Sequence, residues 1–499
     1  MSRSKTPRRK AETKVDEHPK AQPSKKRIKK LKSSKRKQIL WNKLERVHLH
    51  VAGIDVGAYS HWAAVPPELV GEGESSFKEF NSFTTDLEEM AIWFKELKIE
   101  SVAMEATGVY WIPLAQVLES HNIRVLLVHP AEVKQVAGRK SDIKDCQWIM
   151  TLHMYGLLSP CFRPDDSVCK LRSLTRYRLT ITENRSDCLR RMQKSLDQMN
   201  VQLHHVVSMI HGVTGLKIIE AILSGERDPQ VLVKLRDPAI RKSTVEEMKL
   251  ALQGDWREEH LATLKLSYEH YQFLGSQLKE LDMHINEQLK NLANHAQSRR
   301  KENISEAHKH MGKTKKRQRA TRGPNAPHIN MMPLITQWSG TNLGDVLGLN
   351  LLSIIYVLAE TGVDMNRWRN AKAFTNWLGL APNNRISGGK VLSSRVRPVS
   401  QRAQQVFRMS VQTIRNSNCI LGEFYRRLRA NKGPGQATVA TARKLACLVY
   451  HLLKNEENFE VRDVEEYRKQ IEERRLKNLM KRARKLGYEL TPAKNKEAA

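Results

Sequence analysis

The stretch VHLHVAGIDVG, Val47 to Gly57, decides how the first part of this chain is read. It is a short β-rich run that closes on an acid, Asp55, with Gly53 and Gly57 leaving room for close approach. Working outward, HWAAVP is a second strand and DLEEMAIWFKELK a helix, and ESVAME is a strand ending on Glu105. The helical VYWIPLAQVLES and the apolar strand IRVLLVHP follow. Short strands alternating with helices mean an α/β layer domain, which we assign to residues 47–164.

A helix from about Ser141 to Tyr155 follows those strands, and its opening, GRKSDIKDCQWI, raises a question of charge. Asp142 and Asp145 stand three apart on one helix face, so they repel each other unless something positive lies between them. A bland reading is available, because acids in a first turn complement the helix dipole and Arg139, Lys140 and Lys144 are close by. The strands suggest more. Acids at strand ends project from one edge of a sheet, and the next helix can carry Asp142 and Asp145 to the edge that holds Asp55 and Glu105. Four converging carboxylates need a cation, and oxygen-only ligands suit Mg²⁺ or Mn²⁺. Two such ions would clamp the attacking and leaving oxygens of a phosphodiester. The order strand, strand, helix, helix in a basic protein is the signal of an RNase H-like nuclease core.

The charge balance points to the same substrate class. The chain has 499 residues, enough for several domains, and 85 Lys plus Arg against 53 Asp plus Glu leave a net +32. A polyanionic partner follows, with phosphate neutralisation supplying salt-dependent affinity. No apolar run is long enough to span a bilayer; Val346 to Ala359 is broken by Asn350 and Ser353 and reads as a buried helix. Cys146, Cys161, Cys169, Cys188, Cys419 and Cys447 form no C-x-x-C pair and read as reduced thiols, which places the protein in the cytoplasm.

Residues 1–46 form a basic tail too poor in apolar residues to fold alone, expected to be disordered and to bind nucleic acid nonspecifically. Residues 165–296 carry helical periodicity only, and we expect a coiled-coil region there. Leu264, Tyr271, Leu274, Leu278, Leu281, Ile285, Leu289 and Leu292 follow a three-and-four spacing, either the seam of an arm or dimerisation element or one face of an intramolecular bundle. Arg176, Arg178 and Arg185 on the earlier long helix are candidate phosphate contacts. A basic linker or insertion spans 297–332, a mainly helical C-terminal domain 333–456, and a basic helical tail 457–499. In the RISGGK stretch, Ser387 is followed by Gly388 and Gly389, read as room for a phosphate, with Arg385, Lys390, Arg395 and Arg397 placed to stabilise developing charge. Trp62, Tyr110, Trp111 and Trp148 flank the acids and are placed to stack on bases, but they lie in apolar runs and read mostly as core.

Several of these segments, in order, resemble one family. GIDVGAYSHWAAV, MEATGVYWIPLAQVLE, GRKSDIKDCQWI, LTRYRLTITENRSDCLRRMQKSLDQMNVQL, GLKIIEAILSGERDP and AETGVDMNRWRNAKAFTNWLGLAPNNRISGGK are similar to the IS110 family of bacterial insertion-sequence transposases, over roughly 48–295 and 340–415. The resemblance implies a RuvC-like, RNase H-like N-terminal domain whose Asp-Glu-Asp-Asp acids are Asp55, Glu105, Asp142 and Asp145, a helical coiled-coil region, and a C-terminal transposase domain with Ser387 as nucleophile. It also implies Mg²⁺ or Mn²⁺, donor and target DNA, a guide RNA from the element, a homo-oligomer (dimer or tetramer), and a place at the bacterial nucleoid. The chain departs from the family pattern after the serine, with SSRVRPVSQRAQQVFR, and before the acidic-glycine helix, with GDVLGLNLLSIIYVLAETG. Two other readings use the same residues: a hydrolytic nuclease such as a junction resolvase, with water as nucleophile, or a nonenzymatic nucleic-acid-binding protein descended from a transposase.

Overall fold

The computed structural model describes residues 45–106, 108–133, 142–303, 325–399, 401–459 and 464–490. The basic tail up to residue 44, the Arg139–Lys140 stretch and most of the expected insertion lie outside these residues. The chain divides into a first unit ending at Phe162 and a second beginning at Arg163.

The first unit is one mixed sheet covered on both faces. Its strands are β1 (Val51–Val56), β2 (Ser60–Ala64), β3 (Phe77–Asn81), β4 (Ser101–Glu105) and β5 (Arg124–Val128), in the order β3-β2-β1-β4-β5. The first three strands form an antiparallel meander, and β1, β4 and β5 run parallel. Parallel neighbours need crossovers, which α1 (Thr84–Glu96) and α2 (Trp111–Ser120) belong to. Both bury their apolar stripes on one sheet face, where Leu87, Met90, Phe94, Leu114 and Leu118 join Ala52, Ile54, Val102 and Met104 in a single core. The opposite face takes α3 (Asp142–Met154), whose Cys146, Ile149, Met150 and Met154 pack on Val51, Ala64, Ala103 and Val128. This mixed five-stranded sheet is consistent with the RNase H-like expectation.

The second unit is almost wholly helical. Its longest elements are α4 (Asp166–Gln198) and α5 (Glu258–Asn303), packed against each other, with short helices between them from Leu203 to Ala251. The pair is antiparallel: Gln288 on α5 donates to the Ser167 carbonyl at the start of α4, and Arg185 further along α4 stacks on Tyr271. All eight residues of the apolar spacing on α5 are buried. The helix also runs past residue 296 to Asn303, so the first residues of the expected linker are helical. No Pro or Gly interrupts the sequence until Gly312, and the Gln, Arg, Lys and Glu found there favour helix.

One buried ion pair fastens these helices to the domain beyond. Arg178 is 2% exposed; its Nε donates to Asp282 Oδ1 at 2.6 Å and its Nη2 to Oδ2 at 3.3 Å. The same guanidinium reaches the Tyr356 hydroxyl at 3.2 Å and the Asn325 carbonyl at 2.9 Å. A buried charge is tolerable when its hydrogen-bonding groups are met in this way. The C-terminal domain then comprises α6 (Met332–Ser339), α7 (Leu351–Thr361), α8 (Ala371–Trp377), the hairpin β6 (Arg385–Ser387) and β7 (Lys390–Ser393), α9 (Arg402–Ile414), α10 (Ile420–Lys432) and α11 (Pro434–Asn455). Buried α7 is the helix expected near Val346 to Ala359, and among the described residues no helix is long and apolar enough to cross a membrane. A last helix, α12 (Val464–Lys485), ends in cations.

Candidate active site

The acids of the first unit are positioned by strand register. Parallel β1 and β4 align Val51 with Ser101 through Ile54 with Met104, and the next step sets Asp55 beside Glu105. Side chains alternate across a sheet. Ala52, Ile54, Val102 and Met104 belong to the core shared with α1 and α2, while Val51 and Ala103 pack toward α3, so Asp55 and Glu105 take the α3 face.

Gly53 explains how close that helix comes. A Cβ at this position would lie 2.2 Å from the Met150 nitrogen and 2.5 Å from the Cys146 carbonyl oxygen, so the backbone of α3 rests directly on β1. What approaches this glycine is the helix. The C-terminal end of α3 meets the chain before β1, where Val47 and His48 both donate to the Met154 carbonyl, at 2.9 and 3.0 Å. The helix therefore runs antiparallel to β1, and its first turn, with Asp142 and Asp145, lies toward the end of the strand that holds Asp55. Electrostatics agree. Burial pushes the Cys146 thiol up to about 12, and the Asp55 and Asp145 carboxylates push in the same direction. Charges from a strand and from a helix thus bear on one sulfur.

Asp142 is the first residue of α3, and its side chain lies outside the described atoms. Among the described residues, no three His, Cys, Asp or Glu side chains gather tightly enough to hold a metal ion. The donor chemistry of Asp55, Glu105 and Asp145 nevertheless fits a hard divalent cation, since all are carboxylates and the nearby thiol is held protonated.

Ser387 stands in the second unit at the end of β6, opposite Lys390. Gly388 and Gly389 have φ of +55° and +75° and link the two strands as a two-residue turn, the pattern of a type I′ hairpin. A Cβ on either glycine would meet nothing within 4 Å. Their conformation, rather than crowding, is what requires glycine. Cross-strand pairing places Arg385, Ser387, Lys390 and Ser393 on one face of the ribbon and Ile386 with Val391 on the other, with Leu392 as the extra residue at the bulge. The residues from Pro382 to Leu392 are exposed. Arg395 and Arg397, also exposed, follow β7, and the Asn383 nitrogen donates to the Arg395 carbonyl at 3.0 Å.

The cations expected on the long helix behave differently. Arg178 is corrected outright: buried with Asp282, it has no surface to offer a phosphate. Arg176 is engaged by Glu360 through two hydrogen bonds of 2.8 Å, and Arg185 lies 4.1 Å over the Tyr271 ring and donates to Asn325 Oδ1. Arg172, which sequence reasoning passed over, donates to the carbonyls of Ala359 and Glu360 at the end of α7. Arg139 and Lys140 fall outside the described residues. Near the acids, Trp62, Trp111 and Trp148 are partly buried, whereas Tyr110 is exposed. Tyr59 and Phe83 are exposed as well. An aromatic residue in a polar turn was the signal for them.

Comparison with known families gives two matches, in the order of the units. A family model described as a transposase, the Asp-Glu-Asp-Asp type of the IS110 group, matches residues 52–201. A second, described as the transposase of the IS116/IS110/IS902 family, matches residues 341–426. The first range contains Asp55, Glu105, Asp142 and Asp145, and the second contains Ser387. No curated protein matches the chain.

Proposed function

From the premise that this chain belongs to the IS110 family and is a DNA transposase, we propose that it mobilises its own element by RNA-guided cleavage and exchange of DNA strands through a covalent phosphoserine. The observation that carries this reading is the registered pair Asp55 and Glu105, on the sheet face where α3 brings its first turn. Asp142 and Asp145 complete a carboxylate set suited to Mg²⁺ or Mn²⁺. When bound, such ions polarise a phosphodiester and offset the charge that develops on it.

The rest falls to the chain's own side chains. Ser387 Oγ attacks the phosphorus; the Oγ–P bond forms as the bond to one deoxyribose oxygen breaks, the serine proton departs, and the released hydroxyl takes one up. Arg385 and Lys390, on the serine's face of the ribbon, hold the phosphate and stabilise the added negative charge. Arg395 and Arg397 extend the cationic track, and Arg139 and Lys140, just before Asp142 in sequence, contact phosphate. Because the phosphodiester is kept as a serine ester, a strand's free hydroxyl reseals DNA by reversing the step. The donor, target and guide nucleic acids, a homo-oligomer, and a cytoplasmic, nucleoid-associated location belong to the same reading.

The test uses purified protein, Mg²⁺, RNA from the sequence flanking the gene, and supercoiled donor and target DNA, with denaturant-resistant protein–DNA adducts as the readout. Wild type should give an RNA-dependent adduct, and Ser387→Ala and Asp55→Ala should each give none. Metal-dependent nicks that persist in Ser387→Ala, with no adduct in wild type, would replace the recombinase by a hydrolytic nuclease.

A further inference from the structure

Three aromatic rings stand exposed along the sheet edge where the acids end. β1 and β4 both run toward this edge and finish there on Asp55–Val56 and Glu105. β2 begins there at Ser60, and β3, antiparallel to β2 with Asn81 opposite Ser60, finishes there too. Tyr59 lies in the turn from β1 to β2, Phe83 two residues beyond β3, and Tyr110 five residues beyond Glu105. Their exposures are 89%, 71% and 49%. Phe80, Trp93 and Phe94 of this unit are buried in the core, and Trp62, Phe77, Trp111 and Trp148 are partly buried.

The backbones under these rings are fixed. The Ser82 nitrogen donates to the Tyr59 carbonyl at 2.9 Å, tying the turn to the end of β3, and the Gly57 nitrogen donates to the Ser60 carbonyl at 3.1 Å. Phe83 and Tyr110 immediately precede α1 and α2, so each is anchored by a helix start. Large apolar rings held out from ordered backbone lose contact with water only when something covers them. A chain of net +32 with carboxylates on that same edge is built for nucleic acid, and Tyr59 follows Asp55 by four positions and Tyr110 follows Glu105 by five. A protein bound on the same rings would close off the acids. A ring can stack only on a base whose face is free, which an intact duplex does not provide.

We propose that Tyr59, Phe83 and Tyr110, exposed at the strand ends that carry the acids, form a stacking platform for unpaired bases next to the scissile phosphate. The substrate class is therefore DNA that is locally single-stranded at the acidic edge. This rests on reading that edge as the phosphate site. The rings are positioning residues and take no part in bond making.

The experiment titrates full-length protein, with Mg²⁺, into DNA carrying 2-aminopurine in a short single-stranded gap, and into the same sequence fully paired. Wild type should change the fluorescence of the gapped probe and bind it more tightly than the paired one. Tyr59→Ala, Phe83→Ala and Tyr110→Ala should each weaken gapped binding about tenfold and diminish that change, leaving paired binding intact, whereas Tyr59→Phe and Tyr110→Phe should keep both. Unchanged gapped binding in all three alanine variants overturns the proposal, as does an equal loss on paired DNA. Dissociation of an oligomer by these variants, seen by light scattering, with DNA binding intact, overturns it in favour of a protein contact. Ser387→Ala separates this inference from the recombinase reading: it should abolish adducts and keep the fluorescence change. A ring-dependent change in a protein that never forms an adduct would retain the platform and reject the phosphoserine.

Discussion

Asp55 and Glu105 sit on a five-stranded sheet with a helix laid flush on Gly53, whereas Ser387 ends a three-residue strand of a two-stranded ribbon exposed on both faces. The first arrangement is rigid by packing: moving either acid means moving β1, β4 or α3 through a close-packed core. The second is defined mainly by its turn, since an isolated two-stranded ribbon is marginal in water. Carboxylates that must share a cation need fixed separations. A nucleophile that must reach a phosphorus and later return it needs a support that can adjust. Under the proposed function Ser387 is the adjustable group, and adjustment should be confined to the hairpin, because Arg178 and Asp282 lock the root of its unit.

Cutting that root should have the largest effect. Asp282→Ala leaves a guanidinium buried without its carboxylate, at a cost of about 3–5 kcal/mol. The thermal unfolding of the helical unit should fall sharply, and adduct formation with it. If Asp282→Ala instead left the unfolding curve in place, the rigid root would be wrong and the hairpin would not be the only adjustable part. Gly53→Ala should come next. Its new methyl would press on backbone at Met150 and Cys146, atoms that cannot rotate aside, so α3 must lift from β1. Overpacking of this kind costs about 1–3 kcal/mol, and backbone contact places it at the upper end. Hydrogen exchange should rise along α3 and β1, and cleavage should fall further than stability does, because the helix that lifts carries Asp145. Cleavage preserved alongside faster exchange would mean that the acids do not depend on this packing.

The acid-bearing unit was legible in sequence for a local reason. β1 and β4 are short apolar runs that carry an acid at or near their ends, and the alternation with helices is regular, so Asp55 and Glu105 could be assigned to one edge before any register was known. The flush contact at Gly53 was half legible, since the glycine announced a close approach without saying of what. Arg178 was misread because nothing on its own helix reveals its partners: Asp282 lies 104 positions away and Tyr356 further still. Periodicity shows which face of α4 is apolar, but a cation buried within that face looks in sequence like any other cation of a basic chain. The exposed rings escaped for the opposite reason. Tyr59 and Phe83 are aromatic, and composition counts such residues toward a core that they do not join.

The smallest effect on stability should come from the hairpin, and there it separates two uses of glycine. If Gly388 were needed so that a phosphate could come close, any side chain would interfere. The structure gives a different ground, because its φ of +55° is a left-handed conformation and a Cβ there meets nothing within 4 Å. Gly388→Ala should then cost about 1–2 kcal/mol within the ribbon and leave the unfolding of the unit unmoved, since the ribbon contributes little to its core. Gly388→Asn should be milder despite its larger side chain, because Asn tolerates that conformation and Asn-Gly is the preferred type I′ turn. Adduct yield should therefore rank wild type, then Asn, then Ala. The order Ala above Asn would follow size instead of backbone preference, and would show that a phosphate, and not the turn, sets the requirement at this position.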